Sequence, residues 1–159
     1  MINKPYLTMK HVIPEIIALI LAGLNLIFVI VFINVTHTDL LAQIRNEGYD
    51  SFGSLAELLV MAIVFILVTL IGIAANHFIP GSLYRLPFKI NQEKYNEVMY
   101  FVSLGTSINL LEIAAWICFF SVIWALKLGT LQVPSVILLL VIAVPTSLVF
   151  TIIAYRHNK

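Results

Sequence analysis

The chain has 159 residues, of which 61% are hydrophobic and 11% charged, and its net charge is +1. A soluble domain carries about 25% charged residues, so this chain cannot clothe a globular surface in water, and it has no basic footprint for nucleic acid. The single Cys118 excludes an intrachain disulfide and a cysteine-rich metal site.

Four apolar stretches follow one another. Charge is absent from Ile16 to Thr38, between Glu57 and Arg85, and from Leu128 to Tyr155; from Val98 to Leu126 only Glu112 is charged. About 20 apolar residues suffice for a helix to cross a hydrocarbon core roughly 30 Å thick. The pattern predicts an all-α fold, an integral membrane four-helix bundle making one membrane domain over 1–159. The expected spans are 14–34, 55–75, 98–124 and 134–155, joined by an external loop 35–54, a cytoplasmic loop 76–97 and a short third connection. That short connection requires spans three and four to be antiparallel neighbours. The bilayer is the first expected partner.

The first stretch reads as a retained anchor, because it exceeds a signal h-region and ends without an Ala-x-Ala site. Pro14 fits a first-turn proline. Pro145 falls inside the fourth span, where its missing N–H frees a carbonyl one turn earlier. Of the nine Lys and Arg residues, Lys4, Lys10, Arg85, Lys89, Lys94, Arg156 and Lys159 share one side, leaving Arg45 and Lys127 on the other. The positive-inside rule makes the larger group cytoplasmic, with both chain ends inside. In the second loop, Asn91 is an expected N-cap with Glu93 in the first turn.

Polar residues within the spans are the candidates for function. Glu112 sits mid-span, where an ionisable side chain costs about 2.5–3.5 kcal/mol on insertion scales. Helical spacing sets Gly105, Asn109, Glu112 and Trp116 on one face, expected to point into the bundle, with Asn25 of the first span as a distant partner. Asn25, Asn109 and Glu112 thus form a candidate intramembrane polar site, either an ion or proton relay or an interhelical clasp. Glu15 reads as an interfacial, solvated carboxylate at a helix start. His11, His77 and His157 lie on one side without metal-ligand spacing, so no metal site is expected. Ala18 and Ala22, and Ser103 and Ser107, are small residues suited to close helix packing, within the chain or against a second copy. No Gly-x-Ser-x-Gly, His-Glu-x-x-His or glycine-rich phosphate loop occurs, so neither an enzyme nor a cofactor is expected.

Two loops carry a resemblance. The run Asn46-Glu47-Gly48-Tyr49-Asp50-Ser51-Phe52-Gly53-Ser54, and Pro80 followed by Leu86-Pro87-Phe88-Lys89-Ile90-Asn91-Gln92-Glu93-Lys94, resemble motifs of a bacterial membrane family of unknown function. That family forms the N-terminal half of SdpI-type immunity proteins and also occurs as short stand-alone chains. The resemblance implies a multi-pass protein of the bacterial cytoplasmic (inner) membrane, of immunity or signalling type, acting by binding a peptide or membrane-protein partner. Asn46, Gly48, Asp50 and Gly53 would form the partner-binding loop, and Pro87, Lys89 and Glu93 the cytoplasmic motif. Two other readings stand beside it: a transporter or channel component using Glu112 and Asn109, and an accessory structural subunit of a membrane complex.

Overall fold

The computed structural model describes residues 4–36, 55–126 and 129–159. Among them are four α-helices and no strand: α1 (Met9–Thr36), α2 (Leu55–Phe78), α3 (Tyr95–Ala125) and α4 (Gln132–His157). All four are long and apolar enough to cross a membrane, and the chain is a multi-pass membrane protein. Short 3-10 turns at Gly81–Leu83, Gln92–Lys94 and Gly129–Leu131 lie between them.

The helices outrun the apolar stretches. α1 begins five residues before Pro14, so that proline is an interior one. The start is set by Thr8 and His11: the Thr8 carbonyl accepts from the His11 N–H at 3.0 Å, and the Thr8 N–H donates to His11 Nδ1 at 3.1 Å. These local bonds satisfy groups that a helix end leaves orphaned. α2 runs on through Asn76 and His77 to Phe78. Asn91 caps the turn before α3, accepting from the Glu93 N–H at 3.1 Å. α4 continues through Pro145 to His157.

α3 is the central helix and packs against each of the others; α1 also packs on α2, and α4 lies mainly on α3, antiparallel to it. Ala18 and Ala22 of α1 meet Phe65 of α2 and Leu110 and Ala114 of α3 in one core. Val29, Ile33, Leu58 and Ala62 form a second, further along α1 and α2. Small side chains let the backbones approach where no hydrophobic force drives helices together. Ile20, Leu24, Ile27 and Val31 make an exposed apolar stripe on α1. Such a stripe is stable against lipid. α4 is the least enclosed: among its described side chains only Ser135 and Ala154 are buried.

Close approach of α3 and α4 depends on Gly105. A Cβ there would lie 2.8 Å from Phe150 Cβ, an atom that moves only with its backbone. Gly23 on α1 has open space around its missing Cβ. Gly105→Ala is therefore expected to destabilise the bundle by about 1–3 kcal/mol through overpacking. Gly23→Ala should be neutral or stabilise by up to about 1 kcal/mol through helix propensity. Thermal unfolding in detergent distinguishes the two.

Candidate functional site

The most connected polar cluster lies at the end of the bundle shared by the N-terminal segment, the C-terminus of α2 and the first turns of α3. Glu15 is at its centre and is 2% exposed. Its Oε1 accepts from Asn76 Nδ2 at 2.6 Å and from the Ser107 hydroxyl at 2.8 Å. Its Oε2 lies 2.7 Å from His77 Nε2. Asn76 extends the network, since its Oδ1 accepts from the Ser103 hydroxyl at 2.7 Å. Three helices are thus bonded through one carboxylate. Burial corrects the expectation of a solvated interfacial Glu15.

The N-terminal segment closes this cluster. Lys4 Nζ donates to the carbonyls of Asn76 at 2.7 Å and Ile79 at 2.6 Å, at the C-terminus of α2. A cation there meets orphan carbonyls and the negative end of the helix dipole. Burial pushes the Lys4 ammonium below its usual value. His11 is fully buried and bridges to α3, with Nε2 3.0 Å from the Tyr100 carbonyl. Because Nδ1 already accepts from the Thr8 N–H, Nε2 is the protonated nitrogen that donates. Tyr84 is raised above the usual phenol range by burial first and the Glu15 carboxylate second. Tyr6 is pushed up to about 12 by burial, then by Tyr95 and Tyr84.

The three histidines expected on one side have separate partners. His11 meets Tyr100, His77 meets Glu15, and His157 lies 3.5 Å from Glu97. Among the described residues no three metal-ligating side chains come together.

A second polar set runs along the seam between α3 and α4. Asn109 Nδ2 donates to Ser147 Oγ at 2.7 Å, and Thr146 Oγ1 donates to Glu112 Oε1 at 2.7 Å. Trp116 Nε1 donates to the Ser135 carbonyl at 2.8 Å. The face bearing Gly105, Asn109, Glu112 and Trp116 is therefore the face that meets α4. Asn25 is not a partner of Glu112. It is 3% exposed, and its amide has no hydrogen bond among the described residues. The reason is rotational: Leu110 and Ala114 face α1 and α2, and Glu112, two residues from each, lies about 200° around the helix.

The second-loop motif is tied down by Asn158, just beyond α4. Asn158 Oδ1 accepts from the Asn91 N–H at 2.7 Å, and its Nδ2 donates to the Lys89 carbonyl at 2.9 Å. Phe88 packs edge-on to Tyr155. The side chains of Pro87, Lys89 and Glu93 remain exposed. A shallow groove of about 530 Å³ is lined by Tyr6, Asn96, Glu97, Tyr100, Phe101 and His157. The candidate loop residues Asn46, Gly48, Asp50 and Gly53 lie outside the described residues.

Comparison with known proteins adds no relative: no family model, no curated protein and no solved structure matches this chain.

Two outcomes test the cluster. Asn76→Ala strands the Ser103 hydroxyl and leaves Glu15 Oε1 with the Ser107 hydroxyl alone, at about 1–3 kcal/mol for the stranded group, measurable by thermal unfolding in detergent. Tyr6 has a folded pKa above its ordinary 10.0, so its contribution is complete below that pH and is lost as pH rises towards about 12. Unfolding midpoints across the alkaline range should show the wild type losing stability relative to Tyr6→Phe only above about pH 10.

Proposed function

We propose that this protein is a small, non-catalytic multi-pass protein of the bacterial inner membrane, of immunity or signalling type, which acts by binding a peptide or protein partner. The observation that carries the reading is the surface at the end of the bundle where Lys4, Lys89 and Lys159 lie. There His157 lines a groove with Tyr6, Tyr100 and Phe101, and the next residue, Asn158, clamps the loop that displays the exposed Lys89 and Glu93. Aromatic side chains flanked by charge are the composition that protein-binding hot spots favour. The support beneath it is rigid, because Lys4, His11 and Glu15 cross-link the N-terminal segment, α2 and α3 directly below. A preformed surface loses less freedom on binding than a mobile one. The positive-inside rule sets this end in the cytoplasm. The loop bearing Asn46 and Asp50 would then face a peptide arriving from outside.

Photo-crosslinkers at Lys89 and Glu97, compared with one at the lipid-facing Ile20, test this in native membranes. The expected result is a discrete protein adduct from the first two positions and lipid adducts from the third. The adduct from either position should weaken when the charge at the other is reversed. Lipid adducts from all three positions would overturn the reading.

A further inference from the structure

Glu15 and Glu112 both lie within helices of this bundle, and they are provided for unequally. Glu15 has three partners spread over both oxygens, one of them the basic His77. Glu112 has one donor, Thr146, on one oxygen. Its Oε2 is buried with no partner among the described residues, and so is Asn109 Oδ1. Asn109 and Glu112 are three residues apart, hence neighbours on one face of α3. Their partners Ser147 and Thr146 are adjacent on α4. Two acceptors without a donor therefore lie about one turn apart on one seam, where Ser147 and Thr146 bring two hydroxyl oxygens.

Two unpaired acceptors repel each other, and hydrocarbon supplies no water to separate them. A positive charge between them satisfies both. We propose that Asn109, Glu112, Thr146 and Ser147 form a binding site for a small monovalent metal cation of the sodium type, with Glu112 Oε2 and Asn109 Oδ1 as its principal ligands. Carboxylate, amide and hydroxyl oxygens are hard donors, which suit alkali cations better than zinc or copper. A single carboxylate neutralises a single positive charge; a divalent ion would leave a net charge in the bilayer, where charge is costly. The site goes beyond the partner-binding surface and does not rest on it, since it lies along a different part of α3.

The test uses the full chain in detergent, unfolded by heat in sodium chloride and in N-methylglucamine chloride of equal ionic strength, with tryptophan fluorescence as the probe. Trp116 lies on the same seam. With sodium in about hundredfold excess over its Kd, the wild-type Tm should rise by roughly 5 °C or more. Glu112→Gln brings an amide N–H to the place of the cation. It should not respond to sodium, and in N-methylglucamine it should be at least as stable as the wild type. Line broadening of the sodium nucleus by wild-type micelles, reversed by lithium, is a second readout that needs no variant. A wild-type Tm equal in sodium, potassium, lithium and N-methylglucamine overturns the proposal, the Asn109 amide then closing the pair by turning over. So does a sodium response retained in Glu112→Gln, or broadening no greater than that of empty micelles.

Discussion

A polar group inside a bilayer has only the protein to bond with, and that constraint organises this bundle. An unsatisfied group in hydrocarbon costs several kcal/mol, so a polar side chain that its own helix cannot satisfy calls for a partner on another. α3 answers most of these demands. Ser103 and Ser107 bond towards α1 and α2 on one side, while Asn109, Glu112 and Trp116 bond towards α4 on the other. Its central place follows from carrying polar groups on two faces.

The two polar regions divide the molecule. The Glu15 cluster is closed, because Glu15 Oε1 and Asn76 Oδ1 each have a donor, His77 meets Glu15 Oε2, and the N-terminal segment covers it through Lys4. Structural stability is its evident product. The α3–α4 seam is open in the chemical sense, since it keeps two acceptors unmatched. Specific chemistry is better sought there, and association is better sought at the aromatic groove.

Much of the fold could be read from the chain. The four apolar helices, the antiparallel pairing of α3 with α4, the capping by Asn91 and the shared face of Gly105, Asn109, Glu112 and Trp116 all follow from hydropathy, loop length and helical spacing. Glu15 could not be placed in the same way. Its burial depends on α2 continuing to His77 and on Lys4 folding back across 72 residues of sequence, and neither leaves a local trace. The partner of Glu112 was also hidden. A helix that is apolar all round carries no hydropathy record of which face turns inward, so Asn25 and Thr146 were equally compatible with the sequence. A sharper reading would have noted that His11 and Glu15, and Ser103 and Ser107, recur at i,i+4 near the same ends of two helices.

Asn158 gives α4 a mechanical role. This helix leans mainly on α3, yet the Asn158 amide just beyond its end holds the backbone of residues 89 and 91 by two bonds. A change in the tilt of α4, from bilayer thickness or from a helix docking alongside it, is thereby geared to the loop that displays Lys89 and Glu93.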